Sequence, residues 1–133
     1  MHPIAIACTA ILGILLFGLG LLVSLLRGKY NVLIGHPSDP THLLHKVTRA
    51  HGNTAEYAPF LAVLFLYLGA QQPGAWVLGL VGVATAARVL LVVGMLVCKT
   101  LERPHPIRFL GALGTYVAGL ALVAVMIGRL SSP

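Results

Sequence analysis

The chain has 133 residues, 58% of them apolar and only 9% charged, with a formal net charge of +6, a pI near 9.9 and a mean hydropathy of +0.94. Soluble domains carry about 25% charged residues, so this composition excludes an ordinary water-soluble globule, and the length is that of one domain. The basic residues flank apolar runs rather than forming a patch on a soluble fold, which excludes nucleic acid as their partner and leaves a lipid bilayer with anionic headgroups.

No charge interrupts Pro3 to Leu26, and a spanning helix needs about 20 such residues. No basic residue precedes that run, and it is too long for the apolar core of a cleaved signal, so residues 3–26 are expected to persist as a mature helix. The uncharged run Tyr57 to Ala87 is too long for one span. Gln71-Gln72-Pro73-Gly74 breaks it with polar and helix-terminating residues, which predicts an antiparallel pair over 48–70 and 75–97. Phe109 to Gly128 is again uncharged, and the prolines of Arg103-Pro104-His105-Pro106-Ile107-Arg108 mark a loop entering a fourth helix over 107–129. Backbone groups in lipid must be satisfied internally. The expected fold class is therefore an all-α membrane protein, a four-transmembrane-helix bundle in which residues 1–133 form a single domain.

With four spans, the first and third loops share a side. That side holds Arg27, Lys29, Lys46, Arg49, Lys99, Arg103 and Arg108, whereas the other holds only Arg129, so the two long loops are expected to be cytoplasmic. Cys8 and Cys98 then lie near opposite ends of the membrane core, too far apart for a disulfide, and read as buried small apolar residues. His36, His42, His45 and His51 surround one loop, but their spacing matches no metal-ligand pattern, and no metal is expected. Small residues, among them Gly79, Gly82, Gly111, Gly114 and Ala118, predict close helix approach.

The run Arg49-Ala-His51-Gly-Asn53-Thr-Ala-Glu56-Tyr57 carries strongly polar residues into lipid depth. On a helix, Arg49, Asn53, Glu56 and Phe60 fall within about 60° of one another, while His51 points to the opposite face. Counted from Gln72, Glu56 lies sixteen residues back and Arg88 sixteen forward. Matched depth on antiparallel neighbours suggests an ion pair, because either charge alone near lipid is costly. Arg49, Asn53 and Arg108 exceed what one structural salt bridge requires. They converge near the cytoplasmic end as a cradle for a small anionic or zwitterionic molecule, with arginine forks suited to carboxylates.

These residues resemble a known family, the membrane-associated proteins in eicosanoid and glutathione metabolism, and the spacing is closest to its small bacterial members. The likeness spans nearly the whole chain and is most specific over Arg49-Ala-His51-Gly-Asn53-Thr-Ala-Glu56-Tyr57-Ala-Pro59-Phe60, followed by an arginine in the third helix and Pro106-Ile107-Arg108 opening the fourth. The resemblance implies a homotrimer in a bacterial inner membrane, holding glutathione between subunits near the cytoplasmic face. It implies binding by Arg49, Asn53, Glu56 and Arg88, with Arg27 and Tyr57 as further candidates, and Arg108 beside the thiol as the catalytic residue. The implied activity is attack of a glutathione thiolate on a lipophilic electrophile or a lipid hydroperoxide. The chain departs from the family at Gly52, Met95, Phe109 and Ala112, where basic or hydroxyl-bearing residues are expected; Tyr116 reads as a packed aromatic. The alternatives are a non-catalytic membrane protein of this fold that binds a lipid or other small molecule, and a small transporter.

Overall fold

A computed structural model describes residues 1–131, and the last two residues of the expected domain, Ser132 and Pro133, lie outside the described residues. Four helices follow in order, α1 (Pro3–Tyr30), α2 (Leu43–Ala70), α3 (Ala75–Val97) and α4 (Pro106–Gly128), and a 3₁₀ turn, Arg129–Ser131, ends the described chain. Among the described residues the regular structure is all helical, as expected. α1, α3 and α4 are each long and apolar enough to cross a membrane. α2 is as long as α1, at 28 residues, but Asn53 and Glu56 lower its hydropathy, so apolarity alone does not mark it as a span.

Two boundaries differ from the sequence expectation by more than one residue. α1 runs four residues beyond 26 because Arg27 and Lys29 in its last turn complement the helix dipole. Asn31 then ends it in the left-handed region, at φ 53°. α2 begins at Leu43 rather than 48, where the His42 ring accepts from the Leu44 amide at 3.1 Å. Its first turns carry His45, Lys46 and Thr48, which depress hydropathy without opposing helix. Leu44, Val47 and Ala50 in those turns are fully buried, so packing within the bundle sustains what lipid would not.

α1 packs mainly on α2 and α3 mainly on α4, while α2 and α4 touch only sparingly. Glycine sets the closest approach. A Cβ placed on Gly111 would lie 2.5 Å from the Leu91 backbone nitrogen, and one on Gly94 would lie 2.8 Å from that of Arg108, so α3 and α4 meet backbone to backbone. Outward positions such as Ile14, Phe17, Leu21 and Leu120 are exposed, as a lipid-facing surface requires. Buried threonines at 54, 85 and 115 donate to the carbonyls of Ala50, Val81 and Gly111 at 2.8, 2.9 and 2.8 Å, which removes the cost of burying an unpaired hydroxyl.

The interior divides into two apolar clusters. One is built around Leu12, Leu64, Phe65, Val81 and Leu122, and the other around Leu19, Val47, Ala50, Leu91 and Val92 at the end that carries the long loops. On α2 the clusters stop at Ala50 and Ala58, and on α3 at Leu91 and Ala84. Asn53, Thr54 and Arg88 fall in the seam between them.

Five of the six histidines make local structural contacts. His2 and His42 cap α1 and α2 by accepting from the amides of Ile4 and Leu44. The Nδ1 atoms of His36 and His45 each lie 2.8 Å from the Pro37 carbonyl, and His51 sits against Gly20 of α1. In the α1–α2 loop, Asp39 accepts from the Thr41 amide at 2.8 Å and from its hydroxyl at 2.7 Å. These bonds hold the carboxyl below its usual range. Both cysteines are buried and free.

Candidate functional site

The seam opens between α2, α3 and α4 as a cavity of about 170 Å³, lined by Arg49, Asn53, Tyr57, Arg88 and Arg108 together with Leu91, Met95, Ala112, Thr115 and Tyr116. Five of the residues expected to form a site are thus brought together. Arg88 is the least accessible, at 1% exposure. Its Nη2 donates to the Asn53 carbonyl at 3.1 Å and to Asn53 Oδ1 at 2.9 Å, with Thr54 Oγ1 at 3.5 Å. Its guanidinium carbon lies 5.2 Å from the centroid of the Tyr57 ring, within cation–π range. Its Nε is buried without a partner.

The expected Glu56–Arg88 ion pair does not form. Among the described residues, the hydrogen bonds of Arg88 go to Asn53 and Thr54. Glu56 is exposed and lines a second, apolar groove of about 380 Å³ with Phe60, Leu61, Leu64, Gly119, Leu120 and Val123. Depth was matched; azimuth was not. Asn53 and Glu56 share a stripe of α2 but differ by about 60° around the axis, and the packing of α2 on α3 turns Asn53, not Glu56, toward the guanidinium.

Arg108 reaches the cavity from the first turn of α4. Its Nη1 donates to the carbonyls of Leu101 at 3.0 Å and Arg103 at 3.2 Å, so the α3–α4 loop fixes one side of the fork. Lys46 braces the same region by donating to the Cys98 carbonyl at 2.7 Å. Arg49 is exposed at the rim. Arg27 is not brought to the cavity of this chain; its Nε donates to the Gly35 carbonyl at 3.1 Å, which ties the α1–α2 loop to the end of α1.

Met95 and Ala112 line the cavity with apolar surface, Phe109 is 65% exposed, and a Cβ on Gly52 would meet nothing within 4 Å. Tyr116 follows Ala112 by four residues and so lies on the same helical face. Its hydroxyl accepts from that of Tyr57 at 3.4 Å. Tyr116, read from the sequence as a packed aromatic, packs on Tyr57 with ring centroids 5.9 Å apart and also lines the cavity.

Chemically, the cavity presents three arginines and an amide, and no carboxylate is among its lining residues. The guanidinium of Arg88 is partly compensated, through Nη2, by Asn53 and Thr54, while its buried Nε has no acceptor among the described residues. The arrangement suits a molecule with one or more carboxylates, held by planar forks.

Comparison with known proteins adds one finding: residues 5–128 match the family model described as MAPEG family. No curated protein and no solved structure matches the chain.

Proposed function

The chain belongs to the MAPEG family, and from that premise we propose that it is an integral membrane glutathione-dependent transferase or peroxidase. The observation that carries this reading is the gathering of Arg49, Arg88 and Arg108 with Asn53 around one cavity that has no acid among its lining residues.

Glutathione carries two carboxylates, one ammonium group and a thiol. Arg88 and Arg49 would take the carboxylates and Asn53 the peptide, while Glu56, exposed beside the cavity, is the acceptor for the ammonium. The thiol supplies the nucleophile for attack on an electrophilic carbon or a lipid hydroperoxide. An unperturbed thiol has a pKa of about 8.5, and the fixed charge of Arg108 favours its thiolate. Because the α3–α4 loop already holds Arg108, that charge is in place before reaction.

Glu56 is also the argument for oligomerisation. It is exposed on a single chain at a depth where lipid would otherwise meet it, at a cost of several kcal/mol. A neighbouring subunit of a homotrimer would cover it and complete the site. The clustering of Lys and Arg at one end favours cytoplasmic long loops, and likeness to small bacterial members favours the inner membrane.

The test is calorimetry of glutathione binding to the purified protein, with glutathione-dependent consumption of an aromatic electrophile by wild type and Arg108→Ala. The variant is expected to bind glutathione within about threefold of wild type and to turn over about 100-fold more slowly. Absence of binding at millimolar glutathione overturns the reading.

A further inference from the structure

A second basic cavity lies outside the seam. The segment between α3 and α4 folds around a space of about 430 Å³ whose lining includes Val97, Cys98, Lys99, Thr100, Arg103 and His105. It shares no lining residue with the cavity of Arg88. α3 is apolar enough to cross a membrane and ends at Val97, so this space falls where the last turn of a span gives way to lipid headgroups.

Two of its polar groups are already spent. The Cys98 thiol donates to the Met95 carbonyl at 3.2 Å, and the Cys98 carbonyl accepts from Lys46 at 2.7 Å. The cationic groups are not. Among the described residues the side chains of Lys99 and Arg103 have no partner, and none of the three acidic residues of the chain lines the cavity. Thr100 Oγ1 accepts from the Glu102 amide at 3.3 Å, which leaves its proton to donate. His105 Nδ1 is buried without a partner. An enclosed N–H is costlier to leave unpaired than a lone pair, which favours the tautomer that carries the proton on Nε2 as the donor of the ring. α4 begins directly after His105 with no side-chain cap, so the positive end of its dipole adds to the same field.

The lining is thus rich in donors and short of acceptors, with a planar fork on Arg103 and a point charge on Lys99, a combination that suits phosphate oxygens. One side of it is apolar. Val97 is 59% exposed, and Val93, one turn back on the same face of α3, is exposed too. A free phosphate gains nothing from that side, whereas a phosphate carrying acyl chains does. We propose that this cavity is a headgroup site for an anionic phospholipid: Arg103 and Lys99 take the phosphate oxygens, Thr100 and His105 supply further donors, and an acyl chain runs along Val97 and Val93. Neither glutathione nor Arg88 takes any part in it.

The test is native mass spectrometry of the full-length protein in neutral detergent with equimolar phosphatidylglycerol and phosphatidylcholine. Wild type is expected to retain phosphatidylglycerol at least about tenfold over phosphatidylcholine. Lys99→Gln and Arg103→Gln are each expected to lower that preference by about threefold to fivefold; the second keeps the backbone carbonyl that holds Arg108. Lys29→Gln removes the same charge from the end of α1, outside the cavity, and is expected to leave the preference within about 1.5-fold of wild type. Diffuse attraction of basic loops to anionic lipid does not distinguish these positions, so an equal fall in all three variants, or no preference in wild type, overturns the site. Millimolar inorganic phosphate at matched ionic strength is expected to leave the lipid bound; its displacement would make this a site for free phosphate and overturn the lipid assignment.

Discussion

Replacing Arg88 by methionine separates what this residue does for the fold from what it does for a ligand. Its two bonds to Asn53, at 3.1 and 2.9 Å, are charge-assisted and contribute about 1.5–3 kcal/mol each. The contact with the Tyr57 ring adds about 1 kcal/mol. Against this stands the burial of a guanidinium at 1% exposure, which costs several kcal/mol even after relaxation, and an Nε that receives nothing in return. The opposing terms cancel to within a couple of kcal/mol. Arg88→Met, an unbranched apolar side chain of similar reach, should therefore melt within about 5 °C of wild type in detergent. Its glutathione affinity should fall by at least about 30-fold, because the ligand carboxylate loses its buried partner. Arg88→Lys keeps the charge without the fork and should fall between the two. The experiment is thermal unfolding and calorimetry on the same preparations. A variant that loses 15 °C or more, on the order of several kcal/mol, yet still binds glutathione like wild type would refute the assignment and make Arg88 a purely structural residue.

Gly111→Ala should destabilise the bundle by about 2 kcal/mol, the usual cost of overpacking, since its Cβ would fall 2.5 Å from the Leu91 backbone. Gly13→Ala, whose Cβ meets nothing within 4 Å, should be neutral or slightly stabilising in the same melting assay. Glu56→Gln should leave the melting temperature within about 2 °C of wild type, because Arg88 is held by Asn53, but should weaken glutathione binding in a titration at neutral pH. Asp39 is held below its usual carboxyl range by Thr41, so its contribution to stability is fully present above the unfolded value of about 3.9 and disappears as the pH falls through the lower folded value. The difference in melting temperature between wild type and Asp39→Ala should accordingly be positive at neutral pH and shrink toward zero in acid.

Composition and the helix-breaking residues were enough to specify four helices, three of them apolar enough to span a membrane, because a backbone in lipid has almost no alternative to helix. The turn at Gln71 to Gly74 and the limits of α3 at 75 and 97 followed from that requirement and from the breaking residues themselves. The polar stripe of α2 was legible for a related reason: Arg49, Asn53 and Glu56 stand out because charged and amide side chains are rare at lipid depth. Counting from the hairpin turn placed Arg88 at the level of the stripe, since rise per residue is nearly constant along a helix. Rotation about the helix axis is different. It depends on the contacts that seat each helix, here glycines 94 and 111 between α3 and α4 and the His51 ring against Gly20, and a sequence carries no direct record of those distances. Packing therefore decided that Arg88 takes Asn53 rather than Glu56, that Arg27 serves its own loop, and that Tyr116 meets Tyr57 where the charged cavity borders the apolar groove. The chemistry of the residues fixed how deep each one lies, and only the close approach of whole helices fixed which way it faces.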